Sequence, residues 1–224
     1  MVTLSVSGSA THSHRAERGV VHLVVGFEGD DREKVVRDTT AVHARLTEQA
    51  TTWRRQEAAT WFSAQSVSVG VTTEVPTDGG DAVDATGTSS VRYRTRAAID
   101  VRFRDFDALT SWVGDVALEP GVSVEWVEWS LGHERRPEVE RAVRVAAIAD
   151  AVTRAADYAQ ALGLGQPTLQ AVYEPGLRAG ASGGGSPFGL ARAATTFASG
   201  DSPTLDLHPD DIEVSAEVSA DFVA

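Results

Sequence analysis

Gly180-Ala181-Ser182-Gly183-Gly184 matches the G-x-S-x-G string of serine hydrolases, and Asp206 and His208 follow it in hydrolase chain order. That chemistry needs a strained strand–turn–helix elbow to expose the serine, and a histidine oriented by an acid. Ser182 stands instead in a Gly/Ser-rich stretch that no strand or helix pattern frames, so the reading is a loop and no catalytic residue is assigned. Gly183-Gly184-Gly185-Ser186 could turn backbone N–H groups towards a phosphate, but the Lys-Ser/Thr pair of a P-loop is missing. His12 and His14 share one strand face, and His22 falls on the next strand. Two or three imidazoles can bind zinc or copper, yet spacing puts no acidic ligand beside them. They are read as strand-end histidines, weak metal candidates, and no cofactor is expected. Trp53, Trp61, Trp112, Trp126 and Trp129 could line a ligand pocket, though tryptophans on apolar faces more often fill a core.

The sharpest pattern is Val91 to Arg104, a strict two-residue alternation. One face carries Val91, Tyr93, Thr95, Ala97, Ile99, Val101 and Phe103. The other carries Arg92, Arg94, Arg96, Arg102 and Arg104, interrupted by Ala98 and Asp100. Side chains on a strand alternate between faces, so this is a strand buried on one side. An arginine ladder must meet acids within the fold or an anion outside it, which makes these arginines the candidate anion site. Asp211 to Val223 alternates as strictly, with Asp211, Glu213, Glu217 and Asp221 on its polar face. The expectation is that the two strands are antiparallel neighbours, each opposed charge pair contributing roughly 0.2–1 kcal/mol.

The composition narrows the function classes. A net charge of −12 over 224 residues opposes general binding to nucleic acid or anionic membrane. The absence of cysteine excludes disulfides, thiolate catalysis and cysteine metal sites. No apolar run approaches the roughly 20 residues needed to span a bilayer, and no signal-peptide pattern opens the sequence. The expectation is a soluble, cytoplasmic protein.

The positioning elements follow from periodicity. Strands are expected at Val2–Gly8 and Gly19–Phe27, then a helix from about Asp31 to Trp53 capped by Asp30 or Asp31. Val35, Thr39, Val42, Leu46 and Trp53 form its apolar stripe. Period two returns from Ala59 to Val75. A shorter helix capped by Asp105 or Asp107 presents Phe106, Leu109, Trp112, Val113 and Val116, and Pro120-Gly121 stops it. In Val122–Leu131 the apolar phase slips at Trp126–Val127, which predicts a β-bulge in preference to a strand covered on both faces. The longest helix runs from near Pro137 to Leu162, with Val145, Ile148, Val152, Ala155, Ala159 and Leu162 as its stripe. Ala142, Ala146, Ala149 and Ala156 add small residues for close packing. Thr168–Tyr173 is a short strand. Flexible loops are expected at about 76–90 and 176–203.

Taken together, the chain resembles the SIMPL-domain family. The resemblance is carried by Leu4-Ser5-Val6-Ser7-Gly8, by Gly19 to Val25, and by the turn Val101-Arg102-Phe103-Arg104-Asp105-Phe106-Asp107. The alanine-rich helix from Ala142 to Gly165 and the closing alternating strand complete it. Ala16-Glu17 stands where members carry a Pro-Asp pair, and the export signal common in bacterial members is missing. The resemblance implies a single domain over 1–224 with an α+β fold: a largely antiparallel sheet of alternating charged and apolar strands, with two long helices and one shorter helix packed on it. It implies a bacterial protein and no conserved active site, and with no catalytic cluster in the sequence a non-enzymatic role is expected. Some bacterial members build ring-shaped or channel-like oligomers linked to stress tolerance, and an animal member resembles a kinase-signalling adaptor. The function expected is therefore self-association or protein binding, with anion or small-molecule binding at the arginine face or a Trp-lined pocket as the alternative.

Overall fold

The computed structural model describes residues 1–74, 90–177, 194–196 and 207–224. In chain order the elements are β1 (Thr3–Arg15), β2 (Arg18–Val25), β3 (Glu28–Gly29), α1 (Arg32–Arg55), β4 (Ala59–Ala64), β5 (Ser68–Glu74), β6 (Ser90–Phe103), α2 (Phe106–Ala117), β7 (Val122–Ser130), α3 (Arg135–Ala161), β8 (Thr168–Tyr173), β9 (Ala194–Thr196) and β10 (Asp211–Val223). The fold is α+β with antiparallel sheets. The described residues divide into two compact units, one drawn from 1–17, 129–193 and 209–224, the other from 18–128 and 194–208.

In the first unit three strands lie in the order β1-β10-β8. β1 pairs with β10 along its whole length, from Thr3 opposite Val223 to Arg15 opposite Asp211. Ile212, Val214, Ala216, Val218, Ala220 and Phe222 are buried, as the period of two predicts. Ala16-Glu17 follows β1: Ala16 is buried, and Glu17 accepts the Gly132 N–H at 2.9 Å while its own N–H donates to Ser130 O at 2.9 Å.

α3 covers this sheet with a face other than the expected one. Its buried residues are Val139, Val143, Ala147, Ala151, Ala155 and Ala159, a strict four-residue ridge. Of the predicted stripe only Ala155 and Ala159 are buried; Val145, Ile148, Val152 and Leu162 are exposed. The reason is close approach. A Cβ built on Gly8 of β1 would stand 2.2 Å from Ala147 O and 2.7 Å from Ala151 Cβ. Where α3 crosses Gly8 there is room only for alanine, and Val139 and Val143 turn inward in its first turns, so side-chain bulk is a poor guide to the inner face.

In the second unit β6 is the spine. Its second half pairs with β2 on one side and β4 on the other, and its first half pairs with β5 and with β3. Thr95, Ala97, Ile99, Val101 and Phe103 are buried as predicted. α1 buries Val35, Thr39, Val42, Leu46 and Ala50, and starts at Asp31, whose carboxylate accepts the Lys34 N–H at 3.1 Å. Asp105 caps α2 in the same way through Ala108, at 3.0 Å. The buried hydroxyls of Thr39 and Thr95 bond each other at 2.5 Å, and Thr95 Oγ1 also bonds Phe27, so neither hydroxyl is left unpaired. β7 lies between β2 and β9. Val127 and Trp129 are buried and Trp126 is half-buried, and the pairing of Trp126–Glu128 with β9 runs without a register break.

Candidate binding surfaces

The arginine strand and the acidic strand are not neighbours. β6 belongs to one unit and β10 to the other, and β10 is flanked by β1 and β8. The acids of β10 face hydroxyls instead: Ser5 Oγ donates to Asp221 at 2.6 Å and Ser13 Oγ to Asp211 at 3.2 Å. Alternation fixes the face a charge occupies but carries no label for the neighbouring strand. A serine hydroxyl can donate to a carboxylate where no guanidinium is opposite it.

The arginines meet other acids. Glu28 of β3 takes Arg94 in two hydrogen bonds of 2.9 and 2.7 Å, with Arg92 Nε 3.5 Å away. The Arg94 hydrogen bonds hold the Glu28 carboxyl below its usual range, reinforced by the charges of Arg94 and Arg92 and opposed by desolvation. Arg96 reaches Glu125 at 2.8 Å, and Arg104 reaches Glu57 at 2.8 Å. Arg102 lies over the exposed Trp61 ring at 5.2 Å from its centroid. A cavity of about 390 Å³ passes Arg94 and Arg96 over Val24 and Phe27, so any anion there would compete with Glu28 and Glu125.

Asp100, which interrupts the ladder, is the partner of His22. The strands place them opposite each other, and Asp100 Oδ1 is 2.7 Å from His22 Nδ1. Glu128 is 3.9 Å from Nε2, and Trp126 stacks on the imidazole at 4.6 Å. His12 and His14 are in the other unit, on β1, with ring centroids 6.3 Å apart. Among the described residues no group of three or more His, Asp or Glu side chains is arranged to hold a metal. Ser182 and Asp206 lie outside the described residues, as does most of each predicted loop.

The tryptophans divide. Trp112 and Trp129 are core residues. Trp53 is half-buried and, with Trp112, lines a cleft of about 410 Å³ between α1 and α2. Trp112 Nε1 donates to Gln49 Oε1 at 2.8 Å, which fixes the amide at the cleft wall. Arg45 of this cleft is bound by Glu119, whereas Glu48 and Asp115 have no side-chain partner among the described residues.

The outer face of α3 is the largest feature that the sequence reading assigned to the wrong side. Val145, Ile148 and Val152 are 61%, 38% and 45% exposed, and Ala149 and Ala156 lie in the same stripe. No helix among the described residues is long and apolar enough to cross a membrane.

Residues 4–222 match the family SIMPL, described as a protein of unknown function (DUF541). The match covers nearly the whole chain, and the chain belongs to that family. No curated protein matches it.

Proposed function

We propose that this SIMPL domain works by self-association, without catalysis, through the outer face of α3. The carrying observation is the exposed stripe Val145–Ile148–Ala149–Val152–Ala156 on a helix whose inner face is already committed to the sheet. Contiguous exposed apolar surface of this kind marks interaction sites. The stripe also suits a second copy. Val145 and Val152 are equally spaced about Ile148–Ala149, so two antiparallel α3 helices crossing there would set Val145 against Val152 twice over, as a two-fold interface requires. Antiparallel helices also oppose their macrodipoles favourably. The resemblance to stress-linked bacterial members agrees with an assembly role.

Light scattering across a concentration series tests this. The wild-type chain is expected to associate, and Val145→Glu with Val152→Glu to leave it monomeric without loss of fold. A monomer at every concentration ends the self-association reading, and a monomer that captures a different protein through α3 replaces it. The second reading, a small-molecule binder, is favoured by the Trp53–Trp112 cleft more than by Arg92–Arg104, whose ion pairs an anion would have to break.

A further inference from the structure

Resting on the small-molecule reading, we infer that the cleft between α1 and α2 is a site for an organic ammonium ion. Its volume of about 410 Å³ is within the range of small-ligand sites. Its one cationic lining residue, Arg45, is neutralised by Glu119, which leaves Glu48 and Asp115 as the uncompensated charges. Asp115 stands in the last turn of α2, where the helix carbonyls already make the potential negative and the turn itself carries no basic residue. An acid there opposes helix stability, and a local rule broken without compensation points to a functional demand. A bound cation supplies that compensation.

Trp53 selects the kind of cation. Its half-buried indole at the cleft wall can receive the low-charge-density face of an alkylammonium group, which ring quadrupoles attract. The hydrogen bond from Trp112 occupies Gln49 Oε1 and leaves the Gln49 NH2 group for a hydroxyl or carbonyl on the same ligand. The chemistry that fits is therefore an ammonium or quaternary ammonium head carrying one polar oxygen, and a bare phosphate or carboxylate would meet repulsion from Glu48 and Asp115.

Calorimetric titration of the full chain with choline, its neutral isostere 3,3-dimethylbutan-1-ol, glucose and phosphate tests the assignment. Choline is expected to bind at least about tenfold more tightly than the neutral isostere. Glu48→Gln and Asp115→Asn, both surface changes, are each expected to weaken choline by about threefold or more, with thermal stability unchanged in the first and unchanged or raised in the second. Trp53→Leu should abolish choline binding in a chain whose circular dichroism stays native. Equal binding of the neutral isostere or glucose, or tighter binding of phosphate, overturns the ammonium assignment and leaves a small-molecule site. Absence of binding by every probe overturns both, and so does choline binding that none of the three variants alters.

Discussion

Gly8 of β1 lies directly beneath Ala151 of α3, so close that a Cβ on Gly8 would come within 2.7 Å of the alanine methyl and 2.2 Å of the Ala147 carbonyl oxygen. Both obstacles are methyl or backbone, with no flexible side chain to move aside. Gly8→Ala is therefore expected to lift α3 from the sheet and to destabilise the chain by about 1–3 kcal/mol, the usual range for overpacking. Urea denaturation measures it. A stability within error of wild type would show that the helix is free to shift.

Glu17 joins the end of β1 to the segment after β7 through the Gly132 N–H. Hydrogen bonds to charged groups contribute about 1.5–3 kcal/mol. Glu17→Ala should lose much of that, while Glu17→Gln, which keeps an acceptor oxygen, should lose clearly less. Equal losses in the two variants would place the role of Glu17 in its charge rather than in this bond.

Glu57 has φ of +59°, the left-handed conformation that usually falls to glycine after a helix. Its ion pair with Arg104 is solvent-exposed and offsets little of this strain. Glu57→Gly is expected to be neutral or to raise stability by up to about 1 kcal/mol, read as a higher Tm. A clear fall in Tm would mean that the Arg104 contact outweighs the backbone strain.

Glu28 and Asp150 both have carboxyl pKa values below their ordinary range. A depressed folded pKa contributes stability that is full above the unfolded pKa and disappears as pH falls through the folded one. The stability gap between wild type and Glu28→Gln should thus be largest near neutrality and shrink on acidification through and below the usual carboxylate range. A gap that widens in acid would have the wrong sign for the Arg94 clamp.

Much of the fold was legible because single-sided burial leaves a clean period. The stripe of α1, the caps Asp31 and Asp105, and the alternations of β6 and β10 needed only the spacing of apolar residues. Two things were not legible. Neighbour choice was one: the acids of Asp211–Asp221 can meet arginine or serine, and only the three-dimensional register decides for β1. The other was the inner face of α3, where alanines beat valine and isoleucine to the sheet because Gly8 removes the space that larger side chains need. The His22–Asp100 pair was hidden likewise, since the two residues meet only through the β2–β6 register, although a lone acid in an arginine ladder was a signal. The Trp53 cleft was anticipated as a type of site but not as the work of α1 and α2.

Val2 and Ala224 exchange both backbone hydrogen bonds, so odd-numbered residues of β1 direct their N–H and C=O groups away from β10. At the middle of that border the Ser9 N–H is already taken by Asp150, which Arg154 holds in place. A strand arriving from another molecule would have to evict a charged, anchored plug before it could zip past Ser9. Growth by lateral sheet extension, the route towards fibres, is thereby obstructed at this border.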